Sequence, residues 1–352
     1  FKTAPAKNHV YVIVDPHGDP TGQLELGRTL LQLAASEHVK WVGLEAATGD
    51  VSLAFFRPTT PLSIRTSTAA RYLRTSYLHG TEWATLMDGE EFDLWGVENP
   101  ALYDRTIQLY RRVAVLRSEA FRQLTQARQT VDLAAGTLSG RDARRRMLRI
   151  RRLTSLTESF LRSPWTYFEK PAFLNAMNRR YYAQLTRDVN RILRDRFPNR
   201  TDLLMSGRAM QDLMITLRDF EDLYLQRNRE FVFRTLEEMG RRSLTQAALV
   251  IGSVHVSQTV RLFEERGIAC TVLRPAGAAR VNAYRYERLL IRQPVAQDGS
   301  RTPFGAVSRL TLRLPQATLL RPLLAQVPAM LQQNREPMLF RFAAALGPEA
   351  ER

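Results

Sequence analysis

A chain of 352 residues that is 44% hydrophobic and 24% charged can bury a sizeable core, which excludes a disordered polymer. Lys+Arg 51 against Asp+Glu 35 leaves a net charge of +16, which favours anionic partners without choosing among nucleic acid, acidic lipid and an anionic substrate. The single cysteine, Cys270, excludes an internal disulfide and a multi-cysteine zinc site, and no apolar run reaches the roughly 20 residues of a spanning helix.

The first hundred residues alternate strand and helix signals. Val10 to Val14 is a β-branched run, closed by the turn-forming Asp15-Pro16-His17-Gly18-Asp19-Pro20. Leu24, Leu26, Leu30, Leu31 and Leu33 predict an amphipathic helix over 21–38. Trp41 to Leu44 predicts a second buried strand, ending at Glu45 and followed by a glycine-containing loop. Residues 66–88 predict one or two helices, and Phe92 to Val97 a third strand ending at Glu98 and stopped by Asn99-Pro100. From about 101 to 240 the pattern is helical, with breaks at Gly136 to Gly140, Ser163-Pro164 and Phe197 to Asn199. Strand–helix alternation then returns. Ala247 to Ile251 predicts a strand running into Gly252-Ser253-Val254-His255 and a helix to Arg266, and Ala269 to Leu273 a further buried strand that carries Cys270 as a small core residue. Two alternating segments within 281–314 predict a hairpin, and 316–345 predicts a helix.

This order predicts an α/β fold, a mostly parallel sheet with covering helices, split by a long helical insertion. The expected boundaries are 8–112 with 213–275 for the split core, 113–212 for the helical cap, and 276–352 for an accessory hairpin and helix.

Four predicted strands each end in ionisable residues: Asp15 with His17, Glu45, Glu98 and His255. In a parallel sheet the carboxyl ends share one edge, so these residues are expected to meet in one crevice. Two imidazoles and two or three carboxylates suit a divalent Mn, Zn or Fe ion, or equally a metal-free acid/base pair. His9, His38 and His79 read as surface or capping residues. In the helix before the last core strands, Leu213, Leu217, Phe220, Tyr224 and Phe231 mark a buried face on which the missing step falls at Arg227 or Asn228. An inward guanidinium must be paired, by a strand-end carboxylate or an anionic substrate; pointing sideways, it would meet Glu221 or Glu230. Arg141 to Arg152 holds seven arginines in twelve residues, which suits a polyanion and equally a solvated helix face; no nucleic-acid module accompanies it. Nucleophile-elbow, phosphate-loop, H-E-x-x-H and dinucleotide signatures are absent.

Across the split core these motifs resemble the broad superfamily that includes the TraB and Tiki proteins, the haem-associated ChaN lipoproteins and the erythromycin esterases. Gly252-Ser253-Val254-His255 looks like its second G-x-x-H motif, Val42-Gly43-Leu44-Glu45 like its strand ending in a glutamate, and Arg227-Asn228 like its Arg-Asn helix. Asp15-Pro16-His17-Gly18 takes the place of the first G-x-x-H motif but has valine at position 14, so that equivalence rests on His17. The segments Tyr77 to Trp83 and Leu94 to Glu98 resemble a bacterial branch with a long helical insertion.

The resemblance implies metal-dependent peptide cleavage, metal-free ester hydrolysis or haem binding. The leading expectation is a hydrolase of peptide, amide or ester bonds. His17, Glu45 and His255 would hold a divalent cation or a water, and Glu98 or Asp15 would act as general base. Arg227, with Asn228, would orient a carboxylate or stabilise an oxyanion, and the helical cap would select a small-molecule or peptide substrate. The alternatives are a non-catalytic binder of haem, metal or a small anion, and a polyanion-binding protein, at a membrane surface for example, that uses the arginine-rich helix. A chain beginning at Phe1 rather than Met leaves room for a removed leader, and exported relatives point to the cell envelope.

Overall fold

The computed structural model describes residues 8–17, 19–74, 78–87, 89, 91–135, 141–162, 164 and 171–275; the predicted C-terminal hairpin and helix lie outside the described residues. The chain forms two compact units, 1–107 with 224–352, and 108–223. The divisions fall inside two continuous helices, α4 (Pro100–Ala135) and α8 (Arg208–Arg241), each of which contributes residues to both units.

The first unit is an α/β fold around a six-stranded sheet. In chain order its strands are β1 (His9–Asp15), β2 (Trp41–Leu44), β3 (Thr48–Asp50), β4 (Asp93–Val97), β5 (Gln246–Gly252) and β6 (Ala269–Leu273). They lie side by side as β3-β4-β2-β5-β1-β6, and every pairing is parallel except β3 with β4. The helices are α1 (Pro20–Ser36), α2 (Leu62–Arg74), α3 (Gly80–Leu86), the start of α4, the end of α8, and α9 (Ser253–Glu264). Alternation along β1 and β5 sorts the core. Val10, Val12 and Val14 with Ala247, Leu249 and Ile251 pack against Phe231 and Val232 of α8 and Phe263 of α9. Ile13, Ala248 and Val250 pack on the other face against Leu26, Leu30 and Leu33 of α1. Burial on both faces is why these strands read as continuous apolar runs.

The connections leave β1 and β5 in opposite senses. From β1 the chain crosses to β2 through α1 on one face, and from β5 it crosses over β1 to β6 through α9 on the other. The two adjacent strands therefore splay their following helices apart, and such a switch point opens a crevice at the carboxyl edge.

Three details depart from the sequence reading. The loop after Glu45 contains β3, whose approach to β4 requires a glycine: a Cβ on Gly96 would lie 2.0 Å from the Ala47 carbonyl carbon. The turn into β3 places Ala46 in the left-handed region, φ 58°. β6, expected to be buried, is instead an edge strand of half-buried residues with Val272 exposed, and desolvation of the Cys270 thiol pushes its pKa up to about 11.

The second unit is helical, with α5 (Arg141–Arg162), α6 (Pro171–Ala176), a π-turn at Met177–Tyr182 and α7 (Ala183–Arg196). Val113, Ala120, Leu124 and Ala127 of α4, Ile150, Leu153 and Phe160 of α5, and Leu185, Val189 and Ile192 of α7 recur at helical spacing and are buried. The charged faces point outward. This unit holds 23 Arg and Lys against 12 Asp and Glu, a surplus of 11 of the chain's 16 positive charges.

Candidate functional site

The order β4-β2-β5-β1 brings four carboxyl ends into consecutive positions, and the sequence-selected residues gather there. Asp15 is the last residue of β1, Glu45 follows β2, and Glu98 follows β4. His255 differs from expectation. It stands in the first turn of α9, with Gly252 as N-cap, so it enters the site from a helix and not from a strand end. Arg227 and Asn228 lie well inside α8 and face inward, as the broken apolar stripe suggested.

Arg227 is the hub. Its Nε donates to Glu98 Oε1 at 3.1 Å, and its Nη2 donates to Glu98 Oε2 at 2.6 Å and Glu45 Oε1 at 2.8 Å. The guanidinium carbon lies 5.6 Å from the Tyr103 ring centroid and 5.4 Å from that of Phe231. Arg227, Glu45, Glu98 and His255 are each no more than 5% exposed. Burial alone would drive the Arg227 charge toward neutrality; the two glutamates reverse this and raise its pKa. Burial likewise raises the Glu45 carboxyl, but His255 and Arg227 outweigh it and hold that carboxyl far below the usual range.

The remaining acceptor positions are used as well. Glu45 Oε2 accepts from the Gly252 amide at 2.6 Å, and Glu98 Oε2 accepts from the Ala46 amide at 3.2 Å. The Glu98 amide in turn donates to Ala47 O at 2.9 Å, so the turn between β2 and β3 registers one glutamate against the other.

Each imidazole is held through Nδ1 by an oxygen. His255 Nδ1 is 2.5 Å from Asn228 Oδ1, and its ring stacks on Tyr224 at 4.8 Å between centroids. Tyr224 itself donates its hydroxyl to Val254 O. His17 Nδ1 is 2.9 Å from Asp15 Oδ2. His255 Nε2 meets Glu45, and His17 Nε2 and Glu45 both border Gly252. His255 Nε2 is 3.2 Å from Glu45 Oε1, while a Cβ built on Gly252 would sit 2.9 Å from His17 Nε2 and 3.3 Å from Glu45 Oε2. Burial lowers the pKa of His17, but Asp15 and Glu45 outweigh it and raise the net value; burial raises Asp15, but His17 brings it well below normal. With a side chain 14% exposed, His17 is the more open of these two imidazoles.

Sequence reasoning missed two participants. Gln23 donates from Nε2 to Asp15 Oδ1 at 2.5 Å and accepts at Oε1 from the Gly80 amide at 2.6 Å. His79, read as a surface or capping residue, brings Nδ1 to 3.7 Å from Asp15 Oδ2. The available signal was Gln23 itself, a polar residue on the stripe that continues with Leu26, Leu30 and Leu33.

The donor set fits a resident guanidinium better than a metal. An ion bridging His255 Nε2 and Glu45 Oε1 would need to stand about 2 Å from each. Arg227 already lies 2.8 Å from that oxygen and 3.5 Å from that nitrogen, so two cations would share one carboxylate. Among the described residues no group of three or more His, Cys, Asp and Glu is disposed to hold an ion. The apolar crevice between the 54–56 turn, α2 and α3, lined by Leu53, Phe56, Ile64, Tyr72 and Leu78, offers no histidine to a haem iron. No helix among the described residues is long and apolar enough to cross a membrane.

No family model, curated protein or solved structure matches the chain.

Proposed function

We propose that the first unit is a hydrolase of ester, amide or peptide bonds that works without a metal ion and uses His17 as its acid/base. The observation that carries this reading is the contact of His255 Nε2 with a Glu45 carboxylate already paired with Arg227, with His17 Nε2 beside the same Gly252 backbone. Both oxygens of Asp15, Glu45 and Glu98 already take hydrogen bonds or ion-pair contacts. In this reading the base role expected for Asp15 or Glu98 moves to His17, because an imidazole ordinarily titrates near neutrality. Asp15 orients it, much as a carboxylate orients a catalytic histidine elsewhere.

In this scheme His17 Nε2 accepts a proton from water as the water oxygen bonds to the substrate carbonyl carbon. When the tetrahedral intermediate collapses, the bond to the leaving oxygen or nitrogen breaks and His17 returns the proton to that atom. Arg227 Nη1, whose polar neighbour is His255 Nε2 at 3.5 Å, is the donor left for the developing oxyanion. Kinship with the esterase branch of the resembled superfamily belongs to the same proposal.

The test is turnover of a panel of nitrophenyl esters and chromogenic amides in the presence of EDTA. Chelator-resistant hydrolysis that falls on the order of 10²–10⁴-fold in folded His17→Gln supports the reading. Stoichiometric metal in the purified protein, lost in His255→Ala, with no turnover of any probe, supports capture of metal or haem instead.

A second reading rests on the helical unit. Arg144, Arg145, Arg151 and Arg152 of α5 are exposed, beside a Leu148 that is 66% exposed. This face suits a polyanion such as an acidic vesicle surface. Binding to phosphatidylserine vesicles that falls steeply with salt and disappears when the four arginines become glutamine would support it; salt-independent or absent binding would remove it.

A further inference from the structure

We infer that Gln23 is a positioning residue that fixes the proton of His17 on Nδ1 by way of Asp15, using the Gly80 amide as its reference. The inference rests on the hydrolytic reading only for why this proton matters; the geometry stands without it.

The chain of donors runs one way. A backbone N–H only donates, so the Gln23 atom 2.6 Å from Gly80 N must be the carboxamide oxygen. The amide nitrogen is then forced toward Asp15, and since it too only donates, Asp15 Oδ1 must accept at 2.5 Å. Asp15 is held ionised by its surroundings, so its second oxygen is also an acceptor and takes the proton of His17 Nδ1 at 2.9 Å. Neutral His17 is left with its lone pair on Nε2, the atom beside Gly252 and Glu45. Without Gln23, Asp15 can rotate and present either oxygen to either neighbour, including His79 at 3.7 Å.

The reference point is rigid. A Cβ on Gly80 would meet Gln23 O at 1.8 Å, and a Cβ on Gly27 would meet Gly80 O at 2.6 Å, so the first turn of α3 lies directly on the α1 backbone. An apolar residue would suffice for packing, because Leu26 and Leu30 occupy the same stripe and are buried. A glutamine with both ends bonded and 4% exposure is instead a directional element.

Histidine side-chain nitrogen NMR tests this without substrate. The chain has five histidines, and His17→Gln assigns the relevant pair of resonances. In the wild type, above its titration, neutral His17 is expected as the Nδ1–H tautomer alone. In Gln23→Leu the Nδ1 resonance is expected to move toward the unprotonated range as the Nε2–H form enters. A wild type with Nε2–H, or a Gln23→Leu spectrum identical to it, overturns the inference. If Gln23→Leu does not fold, Gln23→Met serves, because it keeps the length of the side chain and removes both the donor to Asp15 and the acceptor for Gly80. An Nδ1 resonance unmoved from the wild type likewise overturns the inference. A Gln23→Leu spectrum identical to the wild type leaves the hydrolase reading intact, a wild type with Nε2–H removes His17 Nε2 as the base as well, and absent turnover leaves the tautomer result intact.

Discussion

Both units pair an arginine with carboxylates, and the pairs differ in kind. In the sheet unit Arg227 sits 4% exposed between two glutamates, with aromatic rings of Tyr103 and Phe231 around it. In the helical unit Arg149 of α5 grips Asp188 of α7 through two bonds of 2.6 and 3.0 Å, but its side chain is 52% exposed. Water screens the Arg149 side of the second pair and can solvate that cation, although the Asp188 side chain is only 7% exposed. The first pair has no such reserve, so removing one member strands the others. The same contact type is thus half screened by water in one unit and a constraint on the whole carboxyl edge in the other.

The sharpest way to break this contrast is Arg227→Met. Leaving Glu45 and Glu98 buried without their cation should cost on the order of 3–5 kcal/mol in urea unfolding, the largest effect expected here. Restoring neutrality with Glu45→Gln and Glu98→Gln in the same chain should recover part of that loss. A loss below 1 kcal/mol would mean the site is wetter than its burial implies.

Gly252→Ala comes next. Its Cβ would meet His17 Nε2 at 2.9 Å, the far end of a side chain that can swing aside, so the cost should stay near 1–3 kcal/mol. The His17 resonances should nevertheless shift, and unchanged resonances would show that the imidazole does not rest over Gly252.

Stability should also depend on pH with opposite signs for acid and base groups. Asp15 and Glu45 are depressed, so their contribution is present above about pH 4 and is lost as pH falls through their folded values. His17 is raised, so its contribution is full below about pH 6.5 and is lost as pH rises through its folded value. Urea unfolding across pH should show both limbs, and His17→Gln should flatten the alkaline one. The smallest effect belongs to Arg149→Ala, about 1–2 kcal/mol, because Arg149 is half exposed but its removal leaves the buried Asp188 without that cation.

Much of this arrangement was legible because it follows from periodicity. β-branched runs ending in charged residues announced a parallel sheet with a shared edge, and the gap in the α8 stripe pointed to Arg227 or Asn228 without settling which way the guanidinium turns. Roles were less legible, since they depend on partners far away in the chain. Glu98 looks like a free base until Arg227, 129 positions later, is found on both its oxygens. β3 escaped notice because Thr48-Gly49-Asp50 shows no apolar alternation; its place is set by the missing Cβ of Gly96. His255 reads as a strand-end residue because it follows the apolar run Ala247 to Ile251 so closely, whereas Gly252 caps a helix and His255 stands in its first turn.

Ala46 joins the two glutamates in a backbone conformation that a side chain disfavours by roughly 1–2 kcal/mol. Glycine would relax there, and Ala46→Gly should therefore be tolerated or mildly stabilising while loosening the hinge between the carboxylates. The methyl group acts as a stiffener: a bracket that can bend in fewer directions keeps its two arms at a fixed angle.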